Sequence, residues 1–129
     1  MGMEAKAHFL SVIFRGKPAG TRLFVGLSAE LRTIPETLTE AAVREPTARE
    51  GYSRQVLLNA DWSFRGDDVL VSKAVIFRNG GRELWSPIYA SFLATTEDNS
   101  GVLLAWAPLD RPRSLISGDE LVLPITIRF

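Results

Sequence analysis

The chain has 129 residues and contains no cysteine, one histidine and no net charge. The missing cysteines exclude disulfides, thiolate nucleophiles and Cys-ligated zinc or iron–sulfur centres. With His8 as the single imidazole, neither a multi-His zinc site nor a Ser-His-Asp or Cys-His arrangement is expected within one chain. His8 lies beside Phe9 in a segment of helical periodicity, where a helix-surface or interface role outweighs catalysis. Fifteen basic residues balance fifteen acidic ones, and no run of like charges forms a basic arm, so no nucleic-acid partner is expected. The longest apolar runs, Val102 to Ala107 and Leu121 to Ile125, fall far short of the roughly 20 residues of a membrane-crossing helix. The opening Met1-Gly2-Met3-Glu4-Ala5-Lys6 has neither a basic n-region nor a long apolar stretch. The expectation is a chain made in the cytoplasm, with no membrane partner.

What is present suits a packed domain. Hydrophobic residues make up 46% and charged ones 23%, an ordinary globular balance, and the length fits one β domain over 1–129. Residues 4–15, EAKAHFLSVIFR, place Ala5, Phe9, Val12 and Ile13 at helical spacing, which predicts an N-terminal helix. After Gly16, Pro18 and Gly20 the run from Thr21 to Leu27 reads as the first strand. Residues 28–50 hold Pro35, Pro46 and several glutamates and read as a long polar excursion, with a helical turn after Pro35. Further strands are predicted at Ser53 to Asn59, Val69 to Arg78, Trp85 to Thr95, Gly101 to Leu109 and Glu120 to Phe129. Asn79-Gly80-Gly81, Glu97-Asp98-Asn99-Ser100-Gly101 and Ser117-Gly118-Asp119 read as turns that tolerate positive φ and favour antiparallel connections. The fold class predicted is mainly β, an antiparallel sandwich or barrel-like domain with one short N-terminal helix.

Patterns that carry chemistry are scarce. Gly51-Tyr52-Ser53-Arg54-Gln55 begins like a nucleophile elbow, but Gln55 occupies the place of the closing glycine and no histidine follows. Glu97-Asp98-Asn99 offers three oxygen-bearing side chains without the twelve-residue calcium loop, so a turn is the better reading. Asp67-Asp68 would point to opposite faces of a strand and reads as a solvated turn rather than an acid–base pair. No glycine-rich phosphate loop occurs. Trp62, Phe64, Phe77, Trp85, Tyr89, Phe92 and Trp106 could form a stacking platform for glycans or bases, yet apolar runs place such rings in a β core. No cofactor, metal or catalytic residue is expected.

The order of landmarks carries a resemblance. Ile13-Phe14-Arg15-Gly16 leads to Leu23-Phe24-Val25-Gly26-Leu27, then to Glu50-Gly51-Tyr52-Ser53-Arg54-Gln55. Trp62, Ala74-Val75-Ile76-Phe77, Trp85-Ser86-Pro87-Ile88 and Asn99-Ser100-Gly101-Val102-Leu103-Leu104 follow, then Leu109, Pro112-Arg113 and Ser117-Gly118-Asp119-Glu120-Leu121. Over nearly its whole length this resembles small virion structural proteins of tailed bacteriophages. Those carry a Leu-Tyr-Val-Ala-Leu-like strand, a Gly-Tyr-Ala-Arg-Gln-like motif and a late Gly-Asp-x-Leu. Here Phe24 stands for the Tyr and Ser53 for the Ala, and Pro124 replaces a glycine between the halves of the last strand. Pro124 removes a ladder hydrogen bond and predicts an edge or bulge.

The resemblance implies a noncatalytic virion protein, most directly a capsid decoration (cement) protein that stabilises the head. A tail or head-to-tail connector protein is the alternative, and a glycan-binding receptor module or a carboxylate-based hydrolase stands further off. Implied partners are the major capsid protein or other virion proteins and further copies of the chain, a trimer being favoured. Gly51, Tyr52, Arg54, Gly118 and Asp119 are the structural-motif residues. Gly51 permits a sharp entry, Tyr52 anchors in the core with its hydroxyl free to bond, and Arg54 pairs with a carboxylate.

Overall fold

The computed structural model describes residues 22–30, 35–66 and 69–128. The predicted helix over 4–15, His8, Asp67-Asp68 and positions 31–34 of the excursion lie outside the described residues. The described chain is mainly β and antiparallel. Its strands are β1 (Arg22–Ser28), β2 (Gln55–Leu58), β3 (Trp62–Arg65), β4 (Val69–Ser72), β5 (Val75–Arg78), β6 (Ile88–Ala94), β7 (Leu103–Arg113), β8 (Glu120–Leu123) and β9 (Thr126–Arg128), with a short helix α1 (Leu38–Ala41). They form a four-stranded sheet in the order β2-β1-β6-β7, a three-stranded sheet β3-β4-β9 and a two-stranded sheet β5-β8. The arrangement is sandwich-like, and the described strands close no barrel.

The two smaller sheets are segments of one bent ribbon. Strands β4 and β9 pair from Val69↔Arg128 to Val71↔Thr126, and β5 and β8 continue from Val75↔Leu123 to Arg78↔Glu120. The bend falls where Pro124 lacks an N–H for the ladder, which accounts for the predicted irregularity in the last strand. Ser72 fills the gap. Its N–H donates to the Ile125 carbonyl at 2.9 Å, and its hydroxyl accepts from the Ile125 N–H at 2.9 Å while donating to the Lys73 carbonyl at 2.7 Å. The single strands predicted over Val69 to Arg78 and Glu120 to Phe129 are therefore each broken in two.

Alternation explains which faces are buried. On the inner face of the large sheet Leu23, Val25, Leu27, Leu57 and Leu93 pack against Leu70, Val75, Phe77, Leu121, Ile125 and Ile127 of the ribbon. Full burial of side chains of this size is worth about 1.5–3 kcal/mol each. The opposite face is covered locally, where Leu38 and Ala41 of α1 pack on Phe92 and Ala94, flanked by Leu103 and Trp106. Thr37 begins that helix by accepting the Glu40 N–H on its Oγ1 at 3.1 Å. The excursion is thus a second layer folded over the sheet. Gly26 makes room for the Phe92 ring beneath that layer, since a Cβ there would overlap it.

Two details depart from the predicted strands and turns. Strand β3 was not anticipated, because four residues between polar flanks give too short an alternation to stand out. Asn79-Gly80-Gly81 is no hairpin turn: neither glycine has positive φ, and β5 pairs with β8 rather than with the strand that follows it.

Candidate functional site

The motif from Gly51 to Gln55 enters β2 from a 3-10 turn at Ala48–Glu50. Glu50 fixes the turn by accepting the Thr47 N–H at 3.1 Å. Gly51 then turns the chain with φ 80°, a left-handed conformation that glycine adopts without Cβ strain. Its backbone lies so close to Gly80 and Gly81 that a Cβ on Gly51 would overlap them, and a Cβ on Gly81 would overlap Glu50. These glycines serve close approach between two segments of backbone.

In the extended segment that follows, Tyr52 and Arg54 project to the same side, as residues two apart must. They converge on Glu45. The Tyr52 ring is buried, stacked on Phe77 at 6.0 Å and met edge-on by Trp85 at 5.7 Å. Trp85 in turn donates its indole N–H to the Glu50 carbonyl at 2.8 Å. The Tyr52 hydroxyl accepts the Leu27 N–H at 3.0 Å and donates to Glu45 Oε2 at 2.5 Å. Burial, reinforced by the neighbouring carboxylate, pushes the phenol well above its ordinary range.

Arg54 uses its whole guanidinium. Nε donates to Glu45 Oε2 at 2.8 Å and Nη2 to Glu45 Oε1 at 2.9 Å, a bidentate pair. Nη1 reaches the carbonyls of Thr96 at 3.2 Å and Asp98 at 2.6 Å, and Nη2 also meets Asn99 Oδ1 at 2.5 Å. All five N–H donors are therefore engaged, with the side chain only 4% exposed. Burial opposes the cation, and the Glu45 carboxylate outweighs burial, so the Arg54 pKa is raised. The guanidinium also lies 5.2 Å from the centre of the Phe92 ring, which stacks on Trp106 at 6.5 Å. One side chain thus ties the excursion to the β6–β7 hairpin and to the sheet between them.

The late motif lies on the far side of Gly81. Gly118 has φ 88° with open space around it. Its N–H donates to the Asn79 carbonyl at 2.8 Å, and Asp119 Oδ2 accepts the Ile116 N–H at 3.2 Å. Ser117 donates to the Gly81 carbonyl at 2.6 Å. Asn79, fully buried, donates to the carbonyls of Glu83 and Leu115 at 2.8 Å each and accepts the Gly81 N–H at 3.0 Å. The segment Asn79-Gly80-Gly81 therefore joins both motifs, with Gly51 packed on one flank and Ser117 to Asp119 bonded to the other.

Three members of this junction were not assigned to the motif from the sequence. Glu45 reads there as one acid among many in a polar stretch, and Asn79 reads as a turn residue beside two glycines. Trp85 was assigned to a strand and lies ahead of β6 instead. Only the Asn-Gly-Gly run carried a local signal, and it pointed to the wrong geometry.

The remaining residues scatter. Phe77 and Trp85 are core, Trp106 and Tyr89 are half-buried and Phe64 is exposed, so the rings do not form one platform. Asp98 lies in the hairpin, its carboxylate accepting from the Ser100 N–H and hydroxyl, which hold its pKa below the usual range. Among the described residues no group of three or more His, Cys, Asp or Glu is placed to hold a metal ion. No described helix is long and apolar enough to cross a membrane. No protein-family model and no curated protein matches the chain.

Proposed function

We propose that the protein is a noncatalytic structural protein of a tailed-bacteriophage virion, most directly a capsid decoration protein that reinforces the head as a closed homo-oligomer. One observation carries the reading. The two motifs behind the phage likeness, Gly51 to Gln55 and Gly118-Asp119, join a single junction in which Tyr52 and Arg54 commit their polar atoms to the chain itself. That is the economy of a framework. A buried phenol and a guanidinium with every donor engaged are poorly suited to proton transfer or substrate capture. The excursion and the 95–101 hairpin, both held by Arg54, present the exposed Glu36, Glu40, Val43, Arg44 and Glu97 as a surface for a neighbour.

The test is reconstitution. Purified expanded heads lacking their decoration are mixed with the protein, then assayed for bound copies and for resistance to heat. The expected result is saturable binding in hundreds of copies per particle with delayed heat rupture. Heads that bind none would remove the capsid role, and cryo-microscopy of the parent particle showing tens of copies or fewer on the tail would move the protein to the connector or tail.

A further inference from the structure

Besides Tyr52 and Arg54, the buried polar residues among those described include Ser28, Ser72, Asn79 and Ser91. The first three hydrogen-bond within the chain. Ser28 Oγ accepts the Glu30 N–H at 3.3 Å, and Ser72 and Asn79 have the bonds given above. Ser91 is 6% exposed. It lines a cavity of about 200 Å³ between the large sheet and the Pro124 to Arg128 segment, walled on β7 by Ala105 and Ala107. A hydroxyl at the wall of such a cavity can still take a hydrogen-bond partner from outside the chain.

The strand beside this cavity is protected over only half its length. Among the described residues strand β7 is an end strand of the large sheet. From Pro108 to Arg113 it carries two prolines, Asp110, Arg111 and Arg113, the devices that blunt an edge against further pairing. From Leu103 to Ala107, LLAWA, it carries none. The opposite end strand, β2, reads QVLL and is equally free of charge and proline, with Val56 and Leu58 41% and 43% exposed.

Direction and length make these two edges complementary. Four antiparallel strands leave β2 and β7 running in opposite directions, so a second copy added head to tail continues the antiparallel pattern. Four residues of β2 match the five unprotected residues of β7. We infer that the unprotected edge of β7 takes β2 of a second copy of this chain, with Gln55 of one copy opposite Ala107 of the other. This register puts Val56 opposite Trp106 on the outer face and Leu57 opposite Ala105 on the inner face. Gln55 then sits two strand spacings, about 10 Å, from Ser91, which pairs with Ala107 across β6–β7. Only the Ala107 methyl lies between them. The Gln55 amide already donates Nε2 to the Ser53 carbonyl at 3.1 Å, leaving Oε1 to accept the Ser91 hydroxyl. Pairing two different edges is heterologous and ends in a closed ring when the rotation permits.

The inference rests on the homo-oligomer part of the proposed function, and its test separates the two. Sedimentation of the full chain should show an oligomer that Ala107→Lys, an exposed edge substitution, converts to monomer with an unchanged circular dichroism spectrum. Ser91→Ala and Gln55→Ala should each raise the dissociation constant severalfold, the scale of one hydrogen bond. Because the chain has no cysteine, a Gln55→Cys/Ala107→Cys variant should oxidise to covalently linked oligomers. A wild-type monomer at every concentration would overturn the homo-oligomer and the interface together. An oligomer that survives Ala107→Lys and does not crosslink through the cysteine pair would overturn this interface alone.

Discussion

On its ring side Tyr52 meets neutral partners, Phe77, Trp85 and beyond them the Gly51–Gly81 backbone contact, whereas on its hydroxyl side it meets the ionised pair of Glu45 and Arg54. Both sides join segments distant in sequence, by different physics. The neutral side depends on shape, on glycines where no Cβ fits and on hydrogen bonds between uncharged groups. The ionic side depends on a desolvated charge pair, favourable only while both partners and the surrounding acceptors remain in place. Failure of the neutral side should be graded, and failure of the ionic side abrupt.

The largest effect should follow Arg54→Met. It leaves Glu45 mostly buried without its cation and strips donors from the Thr96 and Asp98 carbonyls, which should cost about 3–5 kcal/mol by denaturant unfolding. Adding Glu45→Gln, which still accepts from Tyr52, should recover a large part of that loss. A double variant no more stable than the single one would show that the ionic side works through packing. On the neutral side Asn79→Ala leaves the Glu83 and Leu115 carbonyls and the Gly81 N–H without their partner. The same measurement should give a loss of about 1–3 kcal/mol, and a loss as large as that of Arg54→Met would erase the contrast.

The next prediction concerns pH. Folding raises the Tyr52 pKa above its unfolded value of about 10, so the native state holds a proton that the unfolded chain releases in alkali. The stabilisation is complete below pH 10 and is lost above it at about 1.4 kcal/mol per pH unit. Unfolding free energies across that range should show the slope, and Tyr52→Phe should flatten it. The smallest effect belongs to Gly118→Ala. Gly118 has positive φ with nothing nearby for a methyl to strike, so thermal unfolding should report about 1 kcal/mol, the conformational strain alone.

Much of the fold was legible. Apolar, β-rich runs bounded by turn residues identified the strands that became β1, β2, β6 and β7, because a strand that packs in a sheet is rich in large apolar side chains and ends where the chain must turn. Pro124 announced the break in the ribbon through its missing N–H. The site was legible in part: Gly51, Tyr52 and Arg54 stood out by their types and order. Their acceptor Glu45 did not, because an acid in a polar stretch looks the same whether it faces solvent or a guanidinium nine residues on.

By itself the sequence determined a cysteine-free, charge-balanced, mainly β chain, since composition and apolar runs bounded by turn residues depend on no distant contact. Tertiary structure alone decided that Asn79-Gly80-Gly81 is a meeting point rather than a turn, and that residues 54 and 98 share a hydrogen bond across the sheet. Such facts depend on which segments are neighbours in space, and a local pattern of residue types does not encode that.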